Sequence, residues 1–154
     1  MPPAAEEAAR RRSPVSARRI SPAEKIALVP EVLGTYRRVR RELRGSDLPT
    51  ALRALRGTTA AGEYSGRDHM TCNQMAGAVR KTLALIPTDT RCLMQSLTLT
   101  AMLARRGIAT SLVIGVNSGQ ADPEEEFGAH AWVEYHGTPV LPVFRGHFER
   151  LTAV

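Results

Sequence analysis

The hydrophobic period of this chain changes once, at Gly107. Before it, CLMQSLTLTAMLARR is apolar over more residues than a strand uses, and the spacing predicts a helix from about Arg91 to Arg105. Gly107 follows two arginines, the pattern of a helix end. After it, IATSLVIGV (108–116) is β-branched with a period of two, the mark of a strand. AHAWVEY (129–135) reads as a second strand, His136-Gly137 as a tight turn and TPVLPVF (138–144) as a third. Helices followed by a three-stranded antiparallel run make an α+β fold, with the helices on one side of the sheet.

Helical signals fill the first half. Ser21-Pro22-Ala23-Glu24 combines an N-cap serine, a first-turn proline and a glutamate at the third position. Ile26, Val29, Leu33 and Tyr36 then recur at helical spacing, and Pro30 is expected to break or kink the run. Gly45-Ser46-Asp47 punctuates it, and a short helix is expected over 48–56. After a polar stretch, residues 69–86 form a further helix with a stripe of Met75, Val79, Thr82, Leu83 and Ile86, ended by Pro87. Residues 1–20 are expected to be a flexible N-terminal segment. Residues 21–154 are expected to form a single domain, with 21–86 its helical part and 87–154 its core.

Composition limits what such a chain can do. Hydrophobic residues make up 43% and charged residues 23%, so the chain can bury a core. No apolar run approaches 18 residues, and no signal pattern opens the sequence; no membrane partner and a cytoplasmic location are expected. In that setting Cys72 and Cys92 are free thiols. Of the net charge of +6, residues 1–56 carry 13 Lys/Arg against 6 Asp/Glu. The basic run YRRVRRELR (36–44) sets Val39 and Leu43 on one side of a helix and arginines around the rest. Aromatic residues are only 5% of the chain, which leaves little for base stacking, so no nucleic-acid partner is expected.

Two residues carry chemistry. Cys92 falls in the first turn of the central helix, just after Thr88-Asp89-Thr90. The helix dipole and unpaired amides there favour a thiolate, the nucleophilic form, and the same amides can hold an oxyanion. His130 opens the second predicted strand between Ala129 and Ala131, after Gly128. A cysteine at a helix start with a histidine on a neighbouring strand is the working geometry of papain-like thiol catalysis. The imidazole takes the thiol proton and returns it to the leaving amine. Gly128 and Ala129 would let a substrate backbone approach. Trp132 shares the His130 face and would either wall the site or anchor the core.

Other pairings are weaker. His69 and Cys72 are half a metal site with no second half. His136 falls in the hairpin turn, and His147 in a similar setting, both as solvated residues. The acidic loop from Asp122 to Glu126 is a soluble hairpin tip or a substrate rim.

CLMQSL, ARRGI, LVIGV and AHAWVE, in that order over residues 91–137, resemble the transglutaminase-like leader peptidases of lasso-peptide biosynthesis. The resemblance implies a papain/transglutaminase-like fold, with N-terminal helices and a central helix packed on a small antiparallel sheet. It implies a cysteine peptidase that removes the leader from a ribosomal precursor, with Cys92 as nucleophile and His130 as general base and acid. It implies no metal or organic cofactor. The implied partners are the precursor peptide, a separate leader-recognition protein and a macrolactam synthetase that closes the ring. Larger relatives begin with a leader-recognition domain, and this sequence is expected to lack one and to depend on a separate protein for that task. The basic helix 36–44 is therefore a candidate docking surface. The third catalytic member in that family is usually an aspartate on the strand after the histidine, and here that position is Pro142. The nearby acids are Glu134, Glu149 and the loop Asp122 to Glu126. Glu134, about 13 Å along the strand, is too far from His130 to orient its ring. A Cys92–His130 dyad is therefore expected, with Glu149 folding back, a backbone carbonyl or Asn117 left open as the orienting group. The missing aspartate supports the alternative of a weak or inactive scaffold protein of the same maturation complex.

Overall fold

The computed structural model describes residues 21–86, 92–117, 128–141 and 148–153. Four helices come first in sequence: α1 (Pro22–Gly45), α2 (Leu48–Arg56), α3 (Gly66–Leu83) and α4 (Cys92–Ala104). Four strands follow: β1 (Ser111–Asn117), β2 (Ala129–Tyr135), β3 (Thr138–Pro139) and β4 (Phe148–Ala153). The fold is α+β, and its antiparallel sheet has the order β3-β2-β1-β4.

Each of the first three helices starts on a side-chain cap. The Ser21 hydroxyl accepts from the Glu24 N–H, and the Glu24 carboxylate accepts from the Ser21 N–H. Asp47 caps α2 through the Thr50 N–H, and Ser65 caps α3 through the Asp68 N–H. These are the orphan amides of a helix start, and each cap contributes about 1 kcal/mol. The Ser65 cap starts α3 at Gly66 rather than at residue 69.

Two helical expectations are corrected. Pro30 does not break α1, which runs on from Pro22 to Gly45. A proline removes one helical hydrogen bond, and the buried Val32, Thr35, Tyr36 and Val39 lie beyond it and hold the second half in the core. The inward face is also rotated from the expected stripe: Ile26 is 72% exposed, while Val32 and Val39 are fully buried.

Helix α4 is the centre of the molecule. Every residue from Ser96 to Leu103 is buried, because α1, α2, α3 and the sheet all pack on it. A helix enclosed all round is apolar all round. Fully burying Leu97, Leu99 and Leu103 contributes roughly 2 kcal/mol each. The helix ends in a Schellman motif: the Ile108 N–H donates to the Leu103 carbonyl and the Gly107 N–H to that of Ala104. Gly107 takes φ +74°, which a side chain would strain. Arg106 then reaches back to α1, with both terminal nitrogens 2.7 Å from the Glu31 carboxylate.

The sheet has four strands where three were expected. β4 was missed because FERLTA is polar and, apart from Phe148, exposed; it is held by backbone pairing with β1. The expected third strand, 138–144, pairs only at Thr138–Pro139, and the Val140 N–H adds one more bond to the Val133 carbonyl. Its residues 142–144 lie outside the described residues. The turn between β2 and β3 has His136 at φ 47° and Gly137 at φ 78°, the two positive angles of a type I′ hairpin.

The two faces of the sheet differ. Leu112, Ala131, Val133 and Tyr135 join the apolar clusters formed with the helices. By strand alternation, Gly115, His130, Trp132 and Glu134 lie on the other face. Among the described residues, no helix is long and apolar enough to cross a membrane.

Candidate functional site

Cys92 is the first residue of α4, and its Sγ accepts a hydrogen bond of 3.4 Å from the Ala131 N–H of β2. One turn further along, the buried Ser96 hydroxyl donates to the Ala131 carbonyl at 3.1 Å. Residues four apart on a helix share a face, so one helical stripe meets both backbone groups of a single strand residue. Those groups are available because a strand residue directs its N–H and C=O to the same side. Val133, two residues on, uses that side to bond Val140 of the hairpin. At Ala131 the first turns of α4 take the place of a strand.

This contact fixes Cys92 beside His130. The residue that donates to the sulfur is the one after His130, so Sγ lies within ~6 Å of the His130 Cα. The His130 ring is buried, 8% exposed, and packs on two others. It stacks on Trp132 with centroids 6.0 Å apart and planes 20° apart, and lies 5.2 Å from the Phe148 ring. Burial holds its pKa below the ordinary imidazole value, which favours the neutral, proton-accepting form near pH 7.

Trp132 is fixed in turn. Its Nε1–H donates to Glu134 Oε1 at 2.8 Å, and Arg150 of β4 donates to the other oxygen of that carboxylate. The indole lies across Gly115 of β1. A Cβ there would come within 2.9 Å of Trp132 Cη2 and Cζ3 and of the Glu149 carbonyl oxygen. Glycine at 115 is thus required by close approach, not by its backbone angles.

The other sequence candidates fall as follows. Gly128 and Ala129 are exposed at the head of β2, beside His130. Glu134 directs its carboxylate to Trp132 and Arg150. Glu149 is exposed, and its neighbours Phe148 and Arg150 take the His130 face, so it projects to the other one. Asn117 closes β1 opposite Phe148 in the register. Pro142, His147, the caps Thr88-Asp89-Thr90 and the acidic loop Asp122 to Glu126 lie outside the described residues. Cys72 is fully buried in the helical core, its thiol pushed up to about 11 by desolvation and by Asp68, while His69 Nδ1 lies 3.1 Å from the Tyr64 hydroxyl. Among the described residues, no group of three or more His, Cys, Asp or Glu is placed to hold a metal ion. His136 is exposed in the hairpin turn, as expected, and its ring meets those of Tyr135 and Tyr64 edge-on. A cavity of about 420 Å³ between α1 and α3, lined by Ile26, Val29 and Leu85 with Lys25 and Lys81, lies away from Cys92.

Sequence reasoning missed Ser96, Phe148, Arg150 and the Ala131 peptide. Two signals were available. Ser96 stands one turn after Cys92, and Gly115 interrupts a β-branched strand, as a glycine does where another group comes close.

An antiparallel sheet packed on a central helix that begins at a cysteine, with a histidine strand against it, defines a cysteine-protease-like α+β fold. The chain belongs to the transglutaminase-like superfamily, whose family model matches residues 32–153. No curated protein and no solved structure matches it.

Proposed function

We propose that this protein is a cysteine peptidase that removes the leader from a ribosomal lasso-peptide precursor. The observation that carries the reading is the contact of Cys92, at the head of the central helix, with the residue after His130. Membership of the transglutaminase-like superfamily supports it. The resemblance of the motifs CLMQSL and AHAWVE to those of lasso-peptide leader peptidases supports the pathway named.

His130 takes the Cys92 proton, and the thiolate attacks the scissile carbonyl carbon. The C–N bond breaks, and the imidazolium gives its proton to the departing amine. Water then attacks the thioester with His130 again as base, which releases the leader acid and restores the thiol. The Ala131 N–H steadies the sulfur between these steps. Exposed Gly128 and Ala129 leave room for the substrate main chain. The steps need no metal or organic cofactor.

A separate leader-recognition protein presents the precursor, and a macrolactam synthetase closes the ring afterwards. The basic stretch of α1 is the docking surface offered to the first of these. Arg37, Arg40 and Arg41 are exposed there, while Arg38 also braces α2 through the Ala54 carbonyl. Charge reversal at Arg37, Arg40 and Arg41 should weaken co-purification of the leader-binding protein.

The test is incubation with a lasso-peptide precursor and a leader-binding protein, read by mass. Cleavage is expected, and Cys92→Ala or His130→Ala should abolish it while the fold survives. Retained cleavage in either variant overturns the reading. The alternative, a weak or inactive scaffold of the same complex, rests on Pro142 standing where the family's aspartate is expected. It is favoured if Cys92 alkylates no faster than a free cysteine in solution.

A further inference from the structure

The imidazole of a thiol peptidase must be held in one orientation, and an acid in contact with the ring is the usual means. Here the described carboxylate on the His130 face is spent on a different ring. Glu134 is 6% exposed, and its two oxygens accept from Trp132 Nε1 and from Arg150. The indole it holds lies nearly parallel to the His130 imidazole, 20° between planes. The floor beneath the indole is Gly115, where even one extra carbon would collide. Phe148 closes a triangle of rings, 5.2 Å from His130 and 6.4 Å from Trp132. The chain of contacts therefore runs from Arg150 to Glu134 to Trp132 to His130, across two strands and one face.

We infer that Glu134, clamped by Arg150, is a positioning residue for His130 that acts through the Trp132 indole. It takes no part in proton transfer. It fixes the indole, and the flat indole restricts the imidazole by stacking. The inference deepens the peptidase reading and rests on it for its catalytic consequence. The stacking relay itself is measurable without substrate.

Trp132 is the sole tryptophan of the chain, so all indole emission comes from this site. A protonated imidazole stacked on an indole quenches its fluorescence, and a neutral one does so far less. Among the described residues, the other titratable groups near the pair are the Cys92 thiol at the Ala131 peptide and Arg150 and Glu134 on the same face. His130→Ala is the control that separates their titration from that of His130.

In the full-length protein the emission should drop as pH falls, with an inflection below the ordinary histidine value of ~6.5, and His130→Ala should abolish it. In Glu134→Ala the amplitude should fall by at least about half, and the inflection should move up towards ~6.5 as the ring gains solvent. Glu134→Gln still offers an oxygen to Nε1–H and should keep most of the amplitude. In the precursor assay Glu134→Ala should lower kcat about ten- to hundredfold, the scale of a misplaced catalytic group, with KM little changed. A wild-type amplitude and inflection in Glu134→Ala overturn the inference. Should that variant fail to fold, Arg150→Met decides: reduced quenching supports the relay and unchanged quenching overturns it. If the relay is seen but Cys92→Ala still cleaves precursor, it is the peptidase reading that fails.

Discussion

Cys92 Sγ and the Ala131 N–H, 39 residues apart, share a hydrogen bond of 3.4 Å. A thiol placed this way is available to reagents, since Cys92 is only partly buried. Cys72 is not, because it is fully enclosed and its thiol is pushed up to about 11. Iodoacetamide at pH 7–8 should therefore add one group per native chain, lost in Cys92→Ala and retained in Cys72→Ala. Intact mass before and after unfolding checks this, with two groups expected once the core is opened.

Ser96 should matter for stability apart from any role in chemistry. Its hydroxyl is fully buried and donates to the Ala131 carbonyl. Ser96→Ala leaves that carbonyl without this partner, and the expected cost is about 1–2 kcal/mol. Urea unfolding should show a lower midpoint with an unchanged slope.

Gly115→Ala should destabilise through a collision. The new methyl would meet Trp132 and the Glu149 carbonyl at 2.9 Å, and backbone cannot give way as a flexible side chain does. Overpacking of this kind costs about 1–3 kcal/mol. The Trp132 emission maximum should move with it, which separates this effect from a general loss of stability.

Stability should fall with acid, and His130 sets part of the slope. Burial lowers its pKa from 6.5, so the unfolded chain binds its proton at a higher pH than the folded one. That stability is fully present above the unfolded value, is eroded as pH falls below ~6.5, and is lost once pH has passed the folded value. His130→Ala should flatten the dependence in that window. Denaturant midpoints from pH 8 to pH 5 measure it.

The central helix was legible because its apolar run is longer than a strand uses, and the strand after Gly107 because it is rich in β-branched residues. β4 was not legible, because five of its six residues are exposed and its place is set by backbone pairing, which leaves little trace in side-chain type. Pro30 misled because local propensity was weighed without the burial of Val32, Tyr36 and Val39 beyond it. At the site, Cys92 and His130 were readable as residue types. The contacts around them were not, since they depend on β4 bringing Phe148 and Arg150 to the His130 face and on a backbone amide that has no sequence signature.

The Schellman turn and the Arg106–Glu31 bridge fix one end of α4, and the Ala131 peptide receives the other. The first turns of the helix therefore have a second duty: they occupy strand backbone groups that would otherwise be open to another chain. Loss of the helix start should uncover a β-edge as well as displace the thiol. Variants there are expected to self-associate, so evolution cannot relocate the nucleophile on this scaffold without also finding a new guard for the sheet.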